Sequence, residues 1–249
     1  MIAWEESGAG EPVVFVHGIT EDRRAWDPVV PLLADRFRCL RLDLRGHGES
    51  PPAEDYSALA MASDIAEVVQ AAGAGVPPLL VGHSLGAIVA TAYASAAPVR
   101  GVVNVDQSLR LGDFARGLQP LAPMLQGPGF PDAISAIFAS LGVDRLPERE
   151  RAYVDAQHVS ARRDVVLGVW DQVLTSTPEE LTTIAEALAS SVTVPYLAIH
   201  GCDPGPGYQQ WLTGLLPSAT VELWVGDGHY PHLVEPERFA ARVTAFAGA

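Results

Sequence analysis

Short apolar runs alternate with stretches of helical periodicity along most of this 249-residue chain. Met61, Ile65 and Val68 share one helical face, and Asp27 followed by Pro28 predicts a helix start at that point. The predicted strands cover residues 12–17, 37–44, 79–82, 99–106, 194–200 and 220–225. Strands that alternate with helices pair in parallel, and helices then cover both faces of the sheet. The predicted fold class is therefore α/β, with a mostly parallel, doubly wound sheet.

The alternation stops between residues 107 and 190, where only helical patterns follow one another. The last of these patterns begins at Thr177, and Glu180 three residues later completes a capping box. We predict a core made of residues 1–106 and 191–249, with residues 107–190 inserted as a helical cap. A cap over the carboxyl ends of parallel strands would enclose a pocket there.

Charge and cysteine content restrict the partners and the compartment. The formal net charge of −14 disfavours nucleic acid and anionic membrane surfaces. The two cysteines, Cys39 and Cys202, form neither a disulfide framework nor a zinc motif. The N-terminus does not resemble a signal peptide, and no apolar run reaches the roughly 18 residues of a membrane span. The expectation is a cytoplasmic protein whose partner is a small-molecule substrate, without a membrane; its oligomeric state stays open.

The stretch Gly82-His83-Ser84-Leu85-Gly86 matches the pattern G-x-S-x-G between a predicted strand and a predicted helix. In that context the turn is sharp, and it lifts the serine hydroxyl clear of the sheet. Side chains at Gly82 and Gly86 would collide across the turn. Ser84 is thus the candidate nucleophile, and a tight turn with an incidental serine is the alternative.

A serine needs a base and a site for the oxyanion. His229 lies in a glycine-rich loop after a predicted strand, where it can reach Ser84, and it is the candidate base. His83 points away from the serine and is assigned a structural or pocket-lining role, and His232 is expected to pack or to face solvent. The backbone N–H groups of Ile19, in the loop "HGIT", and of Leu85 are the candidate oxyanion donors.

These segments together give the chain a family resemblance. The motifs "FVHG" with Ile19, "DLRGHGES", "GHSLGA" and "GHYPHLVEPERF" resemble the α/β-hydrolase fold superfamily, in particular its cap-bearing serine esterases and lactonases. The resemblance implies a triad in the chain order Ser, acid, His, with no cofactor and no metal. Relatives with dehalogenase or epoxide hydrolase chemistry carry an aspartate where this chain has Ser84, so those reactions are not expected.

The acid of the triad is where the sequence departs from the family pattern. Family members usually carry it as G-x-x-D after the strand that corresponds to residues 194–200, whereas here Asp203 comes one residue early and Pro204 restricts it. Asp106, at the end of residues 99–106, is the alternative acid, as in some members of the family. We favour Asp203, because it lies in the usual place and order.

Four aromatic residues are candidates for the substrate pocket: Trp26, Phe130, Phe138 and Trp170. Aromatic residues at helical spacing also occur as ordinary core. The expected function is hydrolysis of a small to medium, largely apolar ester or lactone through a Ser-His-Asp triad and an acyl-enzyme. The alternatives are a C–C bond hydrolase or a cofactor-free, haloperoxidase-like perhydrolase on the same triad, and a non-catalytic ligand-binding module of the same fold.

Overall fold

A computed structural model describes residues 1–248, and its framework is a seven-stranded sheet. The strands are β1 (Trp4–Ser7), β2 (Glu11–Val16), β3 (Phe37–Leu42), β4 (Leu79–His83), β5 (Gly101–Val105), β6 (Tyr196–His200) and β7 (Ala219–Leu223). Their order in the sheet is β1-β3-β2-β4-β5-β6-β7. All neighbouring strands pair in parallel except β1, which is antiparallel to β3. The predicted fold class is confirmed.

The edge strand β1 is the strand that the sequence analysis missed. It pairs Trp4 with Leu42, and two of its four residues are glutamates. Glu5 and Glu6 bind Arg41 and Arg38, at 2.8 and 2.6 Å. Charged side chains are common on edge strands because they oppose pairing with another chain. A strand of this kind has no apolar run by which it could be recognised.

Twelve α-helices accompany the sheet in the part of the chain that the structure describes. They are α1 (Val30–Leu33), α2 (Ala58–Ala71), α3 (Leu85–Ala94), α4 (Leu111–Leu118), α5 (Ala122–Gln126), α6 (Phe130–Ala139), α7 (Glu148–Val159), α8 (Arg163–Thr175), α9 (Pro178–Ser190), α10 (Tyr208–Leu215), α11 (Pro231–Val234) and α12 (Pro236–Ala247). Short 3-10 helices cover Arg23–Trp26, Gln119–Leu121 and Val143–Arg145. No helix of residues 1–248 has both the length and the apolar character needed to cross a bilayer.

Helices cover the sheet on both faces, as predicted. Val14 and Val16 of β2 pack with the helices α2, α3 and α10, whereas Val13 and Phe15 pack with α1 and α12. The alternation follows from strand geometry, since successive side chains point to opposite faces. The sheet lies between these two layers of helices. The helices cover its faces and not the ends of its strands, where a site can form.

The predicted helix start at Asp27 is wrong. Asp27 ends the 3-10 helix Arg23–Trp26, and its carboxylate binds Arg41. The helix α1 begins only at Val30, and the proline of its first turn is Pro31. Pro28 and Pro31 are each compatible with the first turn of a helix, and the local sequence does not show which of the two begins it.

The segment between β5 and β6 consists of helices and loops, with α4 to α9 in sequence. It has an apolar cluster of its own, which includes Leu125, Phe130, Ile134, Phe138 and Trp170. The domain limits at residues 106/107 and 190/191 stay a prediction. The capping box at the start of α9 is confirmed, with Thr177 and Glu180 binding each other's backbone N–H groups at 3.2 and 2.8 Å.

Replacing Thr177 with alanine should lower the free energy of unfolding by about 1 kcal/mol, because a backbone N–H at the start of α9 loses its acceptor. Urea denaturation measures this change. Thr183→Ala, at an exposed position within the same helix, is the matched control, and it should not destabilise the protein because alanine favours a helix interior. Equal losses in the two variants would contradict the capping role.

Candidate active site

Ser84 stands at the junction of β4 and α3 in a strained backbone conformation. Its φ of 49° and ψ of −120° lie in a region that residues other than glycine rarely adopt. A backbone conformation of this kind costs on the order of 1–3 kcal/mol of stability. The two flanking glycines make this turn possible. A Cβ on Gly82 would lie 2.3 Å from the carbonyl oxygen of Gly86, and a Cβ on Gly86 would lie 2.2 Å from that of Val16. The predicted collision across the turn therefore holds for Gly82, whereas Gly86 is required by the neighbouring strand β2.

Asp106 and His229 form a hydrogen bond at the carboxyl end of the sheet. Asp106 directly follows β5, and its Oδ2 lies 2.6 Å from Nδ1 of His229. Its Oδ1 accepts hydrogen bonds from the backbone N–H groups of Gly201 and Cys202, at 2.7 and 2.9 Å. These two groups belong to the loop after β6. The loop thus fixes the carboxylate, and one oxygen remains for the histidine.

The surroundings of Asp106 keep its carboxyl group ionised. Burial raises the pKa of Asp106, but the hydrogen bond and charge of His229 and the N–H group of Cys202 outweigh burial, so the pKa lies below its ordinary value. A carboxylate can only accept hydrogen bonds, so Nδ1 of His229 is the donor. The other ring nitrogen, Nε2, is then free to accept a proton when the imidazole is neutral.

Asp203 does not take the position expected for it. Its Oδ1 accepts a hydrogen bond from the backbone N–H of Gly205 at 2.9 Å, within its own exposed loop. The expected pairing of Asp203 with His229 is therefore wrong, and the alternative, Asp106, is the partner. In the turn after β6, Asp203 comes one residue earlier than in the family pattern. The backbone N–H groups of this turn bind the carboxylate of the neighbouring strand instead.

Ser84, Asp106 and His229 line one cavity of about 1280 Å³. Ile19 and Leu85, the predicted oxyanion donors, line the same cavity. Leu85 is the first residue of α3, and the backbone N–H groups of a helix start carry a partial positive charge. The structure therefore brings the predicted nucleophile, base and oxyanion donors to one space.

Two of the four predicted pocket aromatics line this cavity, namely Phe138 and Trp170. Phe130 packs beside them within the apolar cluster of the helical segment. Trp26 is fully buried in the core on one face of the sheet, with its ring 5.2 Å from that of Phe15. The pocket prediction is thus wrong for Trp26 and Phe130, because periodicity identifies an apolar face without showing what it faces.

Several cavity residues were not predicted from the sequence. Tyr56 reaches the cavity from the loop before α2, Tyr230 follows His229, and Leu167 comes from α8. Tyr56 and Leu167 belong to no motif, so the sequence carried no signal that could have found them. Tyr230 lies within the motif "GHYPHLVEPERF", and its place next to His229 is the signal that could have found it.

The charged side chains that line the cavity are all carboxylates: Glu21, Glu54, Asp55, Asp106 and Asp171. Among the described lining residues there is no lysine or arginine. The cavity therefore offers no cationic side chain to bind a substrate carboxylate. Within residues 1–248 there is no group of three or more His, Cys, Asp or Glu side chains that could hold a metal ion.

Comparisons with known proteins identify the family of the chain. The sequence profile of the alpha/beta hydrolase family matches residues 13–242. The 2-(acetamidomethylene)succinate hydrolase of Mesorhizobium japonicum is 40% identical over 104 residues, which cover 41% of this chain and 37% of that enzyme. The chain thus aligns with little more than a third of that relative's length.

Two further comparisons extend over nearly the whole chain. The pimeloyl-(acyl-carrier protein) methyl ester esterase of Pectobacterium carotovorum subsp. carotovorum is 29% identical, and the match covers 99% of this chain and 98% of that one. The structure of a thermophilic esterase from Thermogutta terrifontis superposes with a TM-score of 0.81 at 23% identity, covering 98% of this chain and 92% of that one. At that identity the likeness shows the fold.

Proposed function

The chain is a hydrolase that belongs to the alpha/beta hydrolase family, and from this premise we propose that it cleaves a small to medium-sized, largely apolar ester or lactone through an acyl-enzyme on Ser84. The observation that carries the proposal is the hydrogen bond between Asp106 and His229, at 2.6 Å, beside the cavity that Ser84 lines. A buried acid, an imidazole and a strained serine at one cavity are the groups that acyl transfer needs.

In the first half of the proposed reaction, Oγ of Ser84 attacks the carbonyl carbon of the substrate. Nε2 of His229 takes the hydroxyl proton, and the Asp106 carboxylate stabilises the imidazolium that forms. The backbone N–H groups of Ile19 and Leu85 bind the oxyanion of the tetrahedral intermediate. When the intermediate collapses, the imidazolium protonates the departing alkoxide, and the acyl group stays on Ser84.

In the second half, His229 removes a proton from a water molecule, which attacks the acyl carbonyl. The oxyanion forms again at Ile19 and Leu85, and the bond to Ser84 breaks. The serine oxygen regains its proton from the imidazolium, and the carboxylic acid leaves. A lactone follows the same two steps, except that its alcohol and acid leave as one molecule.

The lining of the cavity supports a neutral, apolar acyl group. Phe138, Leu167 and Trp170 contribute apolar surface, whereas the charged lining groups are carboxylates. A substrate carboxylate would meet like charges without a cation to pair it, which weakens its binding. The dicarboxylate that names the Mesorhizobium japonicum relative therefore does not suit this cavity. The methyl ester esterase, which aligns over nearly the whole chain, supports an ester as the reacting group.

We predict that p-nitrophenyl hexanoate is hydrolysed with a kcat/KM at least about tenfold above that of mono-p-nitrophenyl adipate, a difference of about 1.4 kcal/mol. The two acyl chains have the same length and differ in a terminal carboxylate. Raising the salt concentration should narrow the difference, because salt screens the repulsion. Equal or faster hydrolysis of the adipate ester would contradict the proposed specificity.

A wider panel of p-nitrophenyl esters and lactones tests the function itself, with a fluorophosphonate as a covalent probe of Ser84. The wild-type protein should cleave at least one neutral ester or lactone and should be labelled at Ser84. If it cleaves none and stays unlabelled, the proposed function is wrong.

A further inference from the structure

Glu21 and His83 form a buried pair where three segments of the site meet: the loop after β2, the end of β4 and the loop that carries His229. Their side chains are 3% and 0% exposed, and Oε1 of Glu21 lies 3.0 Å from Nδ1 of His83. Glu21 also accepts a hydrogen bond from the backbone N–H of Gly18 at 2.8 Å, through Oε2. On its other side, Nε2 of His83 lies 2.8 Å from the backbone carbonyl oxygen of His229. One continuous path of hydrogen bonds therefore runs from Gly18 to His229.

The acceptors along this path fix the protonation of His83. A backbone carbonyl and a carboxylate both accept hydrogen bonds, so each ring nitrogen has to donate one. Burial raises the pKa of Glu21, but the charge and hydrogen bond of His83 outweigh it and hold that pKa far below its ordinary value. Burial lowers the pKa of His83, and Glu21 outweighs it and raises that pKa. The pair is thus a carboxylate and an imidazolium.

The pair is connected to the backbone beside two groups that the proposed reaction uses. Gly18 precedes the oxyanion donor Ile19, and His83 precedes Ser84. The third contact is with the backbone of His229 itself. A displacement of about 1 Å between reacting groups can lower a rate a hundredfold, so the spacing of these three segments matters for catalysis.

We propose that Glu21 and His83 are positioning residues, which hold Ile19, Ser84 and His229 at the spacing that the reaction needs. This inference rests on the proposed hydrolase function. Neither residue has to touch the reacting carbonyl, because each acts through the backbone that it binds. The pair differs from an ordinary buried ion pair in that it links these three segments to one another.

The first test is Glu21→Ala, assayed on p-nitrophenyl hexanoate. It should lower kcat on the order of ten- to a hundredfold, because the three segments lose their spacing. KM should change less than kcat, because Glu21 is one residue of the cavity lining and the neutral hexanoyl chain needs no charge there. Glu21→Gln should restore most of kcat. Its amide oxygen can accept from Gly18, and its amide nitrogen can donate to Nδ1 of a neutral His83 that still binds His229.

The second test is the double variant Glu21→Met/His83→Phe, which fills the same space with apolar side chains and leaves no buried charge. Such replacements of buried ion pairs are often neutral or stabilising, so this variant should fold even if Glu21→Ala does not. A pair with a merely structural role would keep its kcat in this variant. We expect the double variant to lose kcat as Glu21→Ala does, with a melting temperature near that of the wild type.

Asp64→Asn is the matched control. It weakens another buried ion pair, in which Asp64 lies 2.7 Å from Arg45, and Asp64 does not line the cavity. This control should lower the melting temperature while kcat stays within about twofold of wild type, since distant sites act independently.

The outcomes separate the two proposals. If the wild type is active and the double variant keeps its kcat, or if Glu21→Gln is as impaired as Glu21→Ala, the positioning role is wrong and the proposed function stands. If the wild type cleaves no ester and a fluorophosphonate leaves Ser84 unlabelled, the proposed function is wrong and this inference falls with it.

Discussion

Ser84→Ala should fold like the wild type and lose on the order of a million-fold in kcat for ester hydrolysis, as expected for the loss of a serine nucleophile. The structure explains why folding should be spared. The Ser84 side chain makes no capping hydrogen bond to α3, so alanine removes no bond that the fold uses. The unusual backbone angles are no worse for alanine than for serine. Turnover of p-nitrophenyl hexanoate, with the unfolding curve recorded in parallel, measures both effects.

Ser95→Ala is the control for the loss of a serine hydroxyl at the other end of the same helix. The Ser95 hydroxyl donates a hydrogen bond to the carbonyl oxygen of Ala92 at 2.8 Å and does not line the cavity. This variant should keep wild-type kcat. If Ser84→Ala retained more than about 1% of wild-type activity, a residual rate far above that of serine hydrolases without their nucleophile, the assignment of Ser84 would be refuted.

Asp106→Asn should lower kcat on the order of ten-thousand-fold, by forcing the wrong tautomer on the histidine. The backbone N–H groups of Gly201 and Cys202 require an acceptor at Oδ1, so the amide oxygen of the asparagine stays there. Its NH₂ group then faces Nδ1 of His229, which has to become an acceptor. The ring proton moves to Nε2, where it blocks proton transfer from Ser84.

Asp203→Asn is the comparison that separates the two candidate acids. The asparagine oxygen can still accept from Gly205, and nothing in that loop depends on the charge. We therefore expect near-normal kcat on p-nitrophenyl hexanoate, measured at matched folding. A loss in Asp203→Asn with normal activity in Asp106→Asn would mean that the acid lies after β6 when the enzyme works.

The parts of the fold that the sequence predicted are those encoded locally. Six of the seven strands carried apolar runs, and the turn at Ser84 is set by a glycine on either side. Thr177 and Glu180 also lie within one turn of each other. In each case a pattern of residues close in sequence was enough to predict the feature, although the contact that requires Gly86 is with the distant Val16.

The acid and the cavity lining depend on contacts between distant segments. Asp106 meets His229 across 123 residues of chain, whereas Asp203 bonds within its own loop, and no local pattern distinguishes the two aspartates. Trp26 and Trp170 are both tryptophans that the sequence made candidates for the pocket. Trp26 lies in the core on one face of the sheet, whereas Trp170 lines the cavity. The proposed role of Glu21 could not be predicted from the sequence, because its partner His83 lies 62 residues away along the chain, at the end of β4.

Asp106 lies before the long helical segment in the chain, so that segment does not interrupt the part of the sheet that carries Ser84 and Asp106. Ser84 and Asp106 belong to one β–α–β unit, formed by β4, α3 and β5, whose parallel pairing sets their spacing. The long helical segment enters the chain only after Asp106 and rejoins the sheet at β6. Its length and composition can therefore change, as in a chimera that carries the helices of another hydrolase, while the nucleophile and the acid keep their separation. The helical segment that lines much of the cavity is in this sense exchangeable, whereas the unit that carries Ser84 and Asp106 is not.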